Sequence, residues 1–222
     1  QLVSQTDRLV SSDVRGCVES LVARRVACEP LQYLLGTQEF CGLEFSVTPA
    51  VLIPRPETEL LIHQVISYVT SRSESTIVDV GTGSGCVAIT LASRLNGQRI
   101  LAIDRSSEAL AVATTNAARH TVSGRIEWLE GDLLAPLRGR LSEGSVDVIV
   151  SNPPYISESD WACLEPEVRV FEPRMALVGG KQGTEFHERL LRESREFLVP
   201  GGLLVMEMGA GQATAVRQLA EQ

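Results

Sequence analysis

The sequence gives little support for a disulfide framework, a metal centre or a membrane span. Its five cysteines include no Cys-x-x-Cys pair, and this odd, scattered set predicts reduced thiols in the cytoplasm, without a zinc site. The three histidines, His63, His120 and His187, are dispersed along helix-like segments, which predicts surface or boundary positions rather than metal ligands. No apolar run approaches the ~18 residues of a transmembrane helix, so we expect no membrane partner.

The chain also has no excess of basic residues. The chain carries 20 Lys and Arg against 28 Asp and Glu, which gives a formal net charge of −8. A nucleic-acid-binding protein usually presents a basic face to the phosphates, so this charge argues against direct nucleic-acid binding. At 222 residues and 44% hydrophobic composition, the chain can still bury one sizeable core together with a small appendage.

The tetrapeptide Asn152-Pro153-Pro154-Tyr155 follows an apolar run at 146–151 that is typical of a buried parallel strand. The two prolines end the strand because neither can donate a ladder hydrogen bond. Ligands of open α/β sheets bind at this end of the strands. The side-chain oxygen of Asn152 and the carbonyl of Pro153 can accept the two hydrogens of a planar N–H₂ group, and the Tyr155 ring can cover one of its faces. A proline-rich turn without function is the alternative.

A glycine-rich loop, Gly81-Thr82-Gly83-Ser84-Gly85, separates a β-branched strand at 77–80 from a helix at 86–95. Glycine permits positive φ and lets a cofactor approach the backbone closely. The start of the following helix offers unpaired N–H groups. The spacing G-x-G-x-G differs from the dinucleotide fingerprint G-x-G-x-x-G. A role in packing alone is the other explanation of the loop.

Three acidic residues stand at successive strand ends. Asp79 precedes the glycine loop, Asp104 ends the strand at 99–104, and Asp132 follows the strand at 126–130. A carboxylate at the position of Asp104 can bind both ribose hydroxyls of a nucleoside, and Asp132 can reach an adenine amine. Each acid alone is explained as a solvated loop carboxylate. Three of them in one βαβαβ unit indicate a nucleoside cofactor.

Three segments together resemble the HemK/PrmC family of peptide chain release factor N5-glutamine methyltransferases, which are class I S-adenosylmethionine-dependent enzymes. They are 79–85 (DVGTGSG), 152–156 (NPPYI) and 52–59 (LIPRPETE). The first is typical of the superfamily, and the second is shared with adenine-N6 and guanine-N2 nucleic-acid methyltransferases. The third, at this distance before the glycine loop, is the specific one. Weaker matches lie at 29–36 and 171–173.

The resemblance implies transfer of a methyl group from S-adenosyl-L-methionine to the side-chain amide N5 of the glutamine in the Gly-Gly-Gln motif of a release factor. It implies a cofactor site over Gly81–Gly85, with Asp104 on the ribose, Asp132 and Leu133 near the adenine, and a contact to Asn152. The substrate amide would bind between Asn152, Pro153, Pro154 and Tyr155, of which Asn152, Pro153 and Tyr155 are the predicted catalytic residues.

Two alternatives remain open from the sequence. A nucleic-acid amino methyltransferase would share the Asn-Pro-Pro-Tyr motif, since Tyr155 can equally stack on a flipped adenine. It would require a basic cleft or a target-recognition insertion, and neither is evident. A dehydrogenase or a nonenzymatic nucleotide-binding domain would require the G-x-G-x-x-G spacing and would leave the loop at Asn152 unexplained.

Strands and helices alternate from Ile77 onward, which predicts a doubly wound, Rossmann-like α/β sheet. Three parts are expected: residues 1–37 as the end of an N-terminal helical domain, 38–57 as a β-hairpin and linker, and 58–222 as the methyltransferase domain. Compared with the family pattern, earlier N-terminal helices and C-terminal antiparallel strands are missing, so the sequence is expected to be a fragment.

Local patterns add further expectations. The stretch 14–27 is amphipathic and is expected to bury Val14, Val18, Leu21 and Val22. A helix is expected at 60–69, capped by Thr58 or Glu57. The last strand of the sheet is expected at 203–208, after a turn at 201–202, and a helix is expected at 184–198. Arg55 or Glu57 is expected to contact a protein substrate, and the segment 171–174 to pack over the same entrance.

Overall fold

A five-stranded parallel sheet forms the centre of the protein, whose computed structural model describes residues 11–72 and 74–221. Its strands are β3 (Thr76–Val80), β4 (Arg99–Asp104), β5 (Ile126–Glu130), β6 (Val146–Ser151) and β9 (Leu198–Met206). Across the sheet they stand in the order β5-β4-β3-β6-β9. The crossover helices include α4 (Cys86–Arg94), α5 (Ser107–Arg119) and α9 (Glu185–Phe197). The predicted doubly wound α/β class is confirmed.

Both faces of this sheet are covered, because parallel strands are joined by helices that pack above and below them. In the central register, Val78 of β3 pairs with Leu101 of β4 and with Ile149 of β6. These three side chains pack with Leu190 and Phe197 of α9 on one face. The opposite face carries Ile77, Ile100 and Val148, packed with residues of α3 (Glu59–Val69) and α4. This accounts for the nearly continuous apolar runs of the strands.

The predicted hairpin is present as β1 (Thr37–Phe40) and β2 (Leu43–Ser46), which pair antiparallel and turn at Gly42. The side chain of Asn116 joins this hairpin to α5. Its side-chain oxygen accepts a hydrogen bond from the backbone N–H of Ser46 at 2.7 Å, and its Nδ2 donates to the Ser46 carbonyl at 3.0 Å. The N-terminal region therefore has a defined position on the α/β core.

The remaining elements are short or lie at the periphery. The helices are α1 (Ser12–Val26), α2 (Leu31–Leu35), α6 (Glu158–Trp161), α7 (Pro166–Phe171), α8 (Arg174–Leu177) and α10 (Ala213–Ala220). Two further strands, β7 (Ile156–Ser157) and β8 (Val178–Gly180), pair in parallel beside the carboxyl end of β6.

The prediction that α1 buries its apolar side chains is wrong for the described structure. Val14, Val18 and Val22 are 51%, 48% and 54% exposed, Leu21 is half-buried, and no residue of the helix is buried. Periodic spacing shows that a helix has an apolar face. It does not show that a second layer covers that face, and the described residues place none there.

The helix predicted at 60–69 is confirmed as α3, and Thr58 stands at its N-cap position. The expected side-chain capping bond is absent, because Thr58 has helical torsion angles and belongs to a short 3₁₀ helix, Pro56–Thr58, that runs into α3. One predicted boundary is wrong. The strand β9 begins at Leu198 rather than at residue 203. Gly201 and Gly202 lie within it as an irregularity in its pairing with β6, instead of forming a turn before it.

His187 corrects the expectation that the histidines lie at the surface or at boundaries. It is fully buried in α9, and its Nε2 lies 2.8 Å from the backbone carbonyl of Glu207, which can only accept. Burial lowers the pKa of this imidazole. Across residues 11–72 and 74–221, no helix has the length and apolar character needed to cross a membrane.

Candidate active site

A cleft with about 1120 Å³ of empty space, partly open to solvent, lies at the carboxyl ends of β3 to β6. The strand order changes direction between β3 and β6, which is where open α/β sheets bind ligands. Tyr155 lines a smaller adjoining cavity with Leu52 and Arg55, whereas Ser84 and Gly85 line neither space. The large cleft collects the other predicted site residues, namely Gly81, Thr82, Gly83, Asp104, Asp132, Leu133, Asn152, Pro153 and Pro154.

The glycine loop is fastened to the end of β4 through its own N–H groups. The N–H groups of Gly81 and Thr82 both donate to the carbonyl of Ile103, at 2.8 and 3.0 Å. The N–H of Gly83 donates to Asp104 Oδ2 at 2.8 Å. Gly83 has a φ of +55° and open space where a side chain would stand, so a ligand can approach its backbone. The loop therefore offers a close surface without spare amide donors at these three positions.

Gly85 has a different requirement. It has a φ of +82° at the start of α4, and a methyl group there would lie 2.8 Å from Ile89 Cδ1 and 3.1 Å from Ala113 Cβ. Glycine at this position lets α4 pack closely on α5. Ser84 is buried behind the loop, and its carbonyl accepts a hydrogen bond from Asn116.

Asp79 lies beneath the loop and is almost completely buried. Its Oδ2 accepts hydrogen bonds from the Thr82 hydroxyl at 2.6 Å and from the backbone N–H of Ala88 at 3.1 Å. Burial raises the pKa of this carboxyl to about 7, although the two hydrogen bonds oppose the shift. The N-terminus of α4 thus faces a fixed acid rather than free space.

Asp104 ends β4 at the edge of the cleft. One of its oxygens accepts from Gly83, and the other accepts from the backbone N–H of Ser106 at 2.9 Å. Burial raises the pKa of the carboxyl, and these backbone hydrogen bonds oppose the shift. Each carboxylate oxygen has more than one acceptor site, so both can still accept from a ligand in the cleft.

Asp132 and Leu133 line the cleft beyond the end of β5. The Asp132 carboxylate pairs with the guanidinium of Arg189 on α9, with Oδ2 and Nη2 2.8 Å apart. Leu133 is buried and has a φ of +47°. The pair with Arg189 orients Asp132, and the sequence contained no local signal for that partner.

The Asn-Pro-Pro-Tyr loop, defined as Asn152–Tyr155, is linked by side-chain hydrogen bonds to residues far away in sequence. Asn152 Nδ2 donates to Thr58 Oγ1 at 3.0 Å, and the Thr58 hydroxyl donates to Glu207 Oε2 at 2.7 Å. The Tyr155 hydroxyl donates to Glu207 Oε1 at 3.2 Å. Burial, followed by the charge of Glu207, raises the pKa of Tyr155 to about 12. The phenol is therefore neutral at physiological pH.

The backbone of the Asn-Pro-Pro-Tyr loop is fixed from its other side. Gln212 Nε2 donates to the Tyr155 carbonyl at 2.8 Å. Gly179 and Gly183 lie directly against the carbonyls of Pro154 and Tyr155, and a side chain at either glycine would overlap them. These contacts set the direction of the loop carbonyls.

Arg55, from the segment 52–59, forms an ion pair with Glu172, whose side chain is 1% exposed. The same carboxylate accepts a hydrogen bond from the backbone N–H of Ile53 at 3.2 Å. The segments at 52–59 and 171–174 are thus joined beside the cleft. Arg55 still lines both cavities, so it can also meet a substrate.

Sequence reasoning missed Glu207. It also assigned the Thr58 side chain to helix capping, whereas that side chain is hydrogen-bonded to Asn152 and Glu207. Glu207 directly follows β9, so it is an acid at the carboxyl end of a parallel strand. That is the same signal that identified Asp104, and it could have been applied to the fifth strand. The contact between Thr58 and Glu207 spans 149 residues and has no local signature.

Known proteins are similar to this chain in sequence and in fold. A family model described as the methyltransferase small domain matches residues 56–164. The release factor glutamine methyltransferase of Geobacter sulfurreducens is 43% identical over 210 residues, which cover 95% of this chain and 71% of that protein. Its namesake in Nitratidesulfovibrio vulgaris is 44% identical over 213 residues, with coverages of 96% and 71%. This chain belongs to the release factor glutamine methyltransferase family.

Membership in the release factor glutamine methyltransferase family confirms the resemblance seen in the sequence and makes the chain an S-adenosyl-L-methionine-dependent methyltransferase. A dehydrogenase or a nonenzymatic domain is excluded. A methyltransferase from Pyrococcus furiosus shares the fold with a TM-score of 0.57 and 19% identity, covering 95% of this chain and 87% of that chain. The hMettl16 catalytic domain, solved with MAT2A 3′UTR hairpin 6, gives 0.61 and 16%, with coverages of 91% and 82%. These two similarities concern the fold alone.

Proposed function

We propose that this protein transfers a methyl group from S-adenosyl-L-methionine to the side-chain amide nitrogen of the glutamine in the Gly-Gly-Gln motif of a peptide chain release factor. The observation that carries the proposal is the position of Asn152 and Pro153 in the same cleft as Gly81–Gly83 and Asp104. A methyl donor over the loop and an amide at Asn152 would therefore share one cavity. The names of the relatives supply the substrate class.

The residues of the cleft fit the cofactor better than they fit a dinucleotide. A pyrophosphate binds through free backbone N–H groups and is repelled by carboxylates beside them. Here the N–H groups of Gly81, Thr82 and Gly83 already donate within the protein, and Asp79 and Asp104 flank them. Carboxylates instead suit ribose hydroxyls and a cationic sulfonium. We assign Asp104 to the ribose, and Asp132 with Leu133 to the adenine.

The amide that receives the methyl group poses one chemical problem. A carboxamide nitrogen is a poor nucleophile because its lone pair is delocalised into the carbonyl. Asn152 Oδ1 and the Pro153 carbonyl can accept its two hydrogens, which orients the nitrogen and favours pyramidalisation as positive charge develops. Tyr155 restricts the plane of the amide. A general base is not required before transfer, because the methylated nitrogen becomes strongly acidic and loses its proton afterwards.

The net charge of the chain, −8, favours a protein substrate over a nucleic acid. In the cleft, Asp104 holds a carboxylate at the edge, whereas Arg189 balances the charge of Asp132 and Asp79 is buried beneath the loop. A nucleic-acid strand brings phosphates that a negatively charged protein repels. A release factor presents a neutral glutamine amide instead. Because release factors act where translation takes place, we expect the protein in the cytoplasm.

Transfer of a labelled methyl group to purified release factor tests the proposal directly. The matched substrates are the same factor with its Gly-Gly-Gln glutamine changed to alanine, and DNA. We expect label in the unaltered factor alone. Equal label in both forms of the factor, or label in DNA, would reject the proposed substrate.

A further inference from the structure

The geometry points to a polarity relay, made of Asn152, Thr58 and Glu207, in which Glu207 acts through Thr58 to fix which end of the Asn152 amide faces the substrate. Thr58 and Glu207 are positioning residues here, since they act on Asn152 rather than on the reacting atoms. The inference rests on the proposed function, because it concerns the same acceptor site.

The donor and acceptor inventory of the three side chains permits one arrangement. The carboxylate of Glu207 can only accept, so the single hydrogen of the Thr58 hydroxyl points to Oε2, 2.7 Å away. Thr58 Oγ1 can then only accept from Asn152. The Asn152 atom 3.0 Å from it must be Nδ2, which leaves Oδ1 for the substrate.

This orientation matters because an amide is nearly symmetric in shape. Turning the Asn152 side chain by half a rotation exchanges oxygen for nitrogen at almost no steric cost. In the reversed state, Nδ2 would present its hydrogens to the hydrogens of the substrate N–H₂ group, and the acceptor would be lost. Shape alone does not select the productive state, whereas the charge of Glu207 does.

The carboxylate at the end of the polarity relay is itself well anchored. The backbone N–H of Glu207 donates to the Ser151 carbonyl at 3.0 Å, and its carbonyl accepts from His187 at 2.8 Å. Its second carboxylate oxygen accepts from Tyr155. Thr58 is 3% exposed, so water does not compete readily for its hydroxyl. The position of the Glu207 carboxylate, which sets the direction of the Asn152 amide, is therefore fixed by the end of the sheet.

A pair of Thr58 variants separates the hydroxyl from its packing. Thr58→Val keeps the shape and removes the acceptor for Nδ2, and Thr58→Ser keeps the acceptor. We expect Thr58→Val to lower kcat about 10- to 100-fold, because the Asn152 amide is then free to turn its oxygen away from the substrate nitrogen. Thr58→Ser should retain most of the wild-type kcat. The Kd of the cofactor should stay close to the wild-type value in both.

A second pair of substitutions exchanges the donor and acceptor roles in the polarity relay. An aspartate at position 152 offers only acceptors, so Asn152→Asp conflicts with a Thr58 hydroxyl whose hydrogen is committed to Glu207. Adding Glu207→Gln releases that hydrogen for the new carboxylate. The double variant should be more active than Asn152→Asp alone. Glu143→Gln removes an exposed carboxylate just before β6, at the end of that strand opposite the cleft, and should not raise the activity of Asn152→Asp.

The side-chain amide of Asn152 gives a readout that needs no catalysis. Its ¹⁵N–¹H₂ signals, assigned by their loss in Asn152→Asp, should shift in Thr58→Val and stay in place in Thr58→Ser. Unchanged signals and wild-type kcat in Thr58→Val, or no gain from Glu207→Gln in the Asn152→Asp background, would overturn the relay. A wild-type protein that shows these signals and does not methylate release factor would instead refute the proposed function.

Discussion

The carboxylate of Asp104 accepts a hydrogen bond from the backbone N–H of Gly83 at 2.8 Å, so the acid at the end of β4 also positions the loop after β3. One side chain thereby connects the ribose position with the surface on which the cofactor is expected to lie. Its removal should affect binding more than the fold of the sheet, whose core lies below the cleft.

Asp104→Ala should weaken S-adenosyl-L-methionine binding by about 1–3 kcal/mol, since a charge-assisted hydrogen bond to the ribose is lost. Calorimetry measures this loss, and thermal unfolding checks the fold. Glu108→Gln, an exposed acid on the neighbouring helix, is the matched control. An unchanged affinity in a folded Asp104→Ala protein would remove Asp104 from the ribose site.

Asn152→Ala should lower turnover by about 10²–10³, because the lost acceptor matters most when charge develops on the substrate nitrogen. The rate is measured at saturating cofactor and release factor, and cofactor affinity is measured separately because Asn152 also lines the cofactor cleft. Near-normal turnover under these conditions is incompatible with the role assigned to the side chain.

Tyr155→Phe should keep much of the activity, whereas Tyr155→Ala should lose far more. The ring face proposed to cover the substrate amide is present in both the wild type and Tyr155→Phe, and the hydroxyl makes a single 3.2 Å hydrogen bond to Glu207. Steady-state kinetics of the two variants compare these contributions. Equal damage in both would show that the hydroxyl, rather than the ring, carries the function.

A short Gly-Gly-Gln peptide should be a poor substrate beside the intact release factor. Contacts remote from the reacting amide help to position it, so their loss lowers kcat/KM. Competition between peptide and factor in one labelled reaction gives the ratio directly. A peptide that matches the factor would eliminate remote docking.

The pH dependence of stability should show that the pKa of the buried Asp79 carboxyl is raised. Burial raises the pKa of its carboxyl from 3.8 to about 7, so between these values the folded state binds more protons than the unfolded state. The contribution of Asp79 to the free energy of unfolding should therefore fall as pH rises, by up to about 1.4 kcal/mol per pH unit. Asp79→Asn, whose side-chain oxygen can accept the same two hydrogen bonds, should lack this slope. Parallel urea-unfolding profiles for the two proteins would contradict the assignment.

Several features of the site were predictable because their signals are local. Runs of β-branched residues bounded by glycine or proline marked β3 and β6, and parallel strands place their carboxyl ends at one edge. The loops at Gly81 and Asn152 had to meet there. The contacts of Thr58 with Glu207 and of Asp132 with Arg189 were not predictable, because they depend on how distant segments cross in space.

The errors have the same origin. An apolar stripe on α1 predicted a buried face, but burial depends on a second surface that the stripe does not specify. Thr58 has the chemistry of a helix cap, but its hydroxyl oxygen accepts from Asn152 Nδ2 instead of from a backbone N–H, and its hydrogen goes to Glu207. His187 is buried because α9 lies directly over the end of β9.

The close contact of Gly179 and Gly183 with the carbonyls of Pro154 and Tyr155 has a consequence for protein engineering. The Asn-Pro-Pro-Tyr peptide is not a portable module. Transplanted into another parallel sheet, it would lack the bare backbone at 179 and 183 against which its carbonyls lie, and their direction would change. A redesign of substrate choice would have to transfer the segment 178–183 together with the peptide.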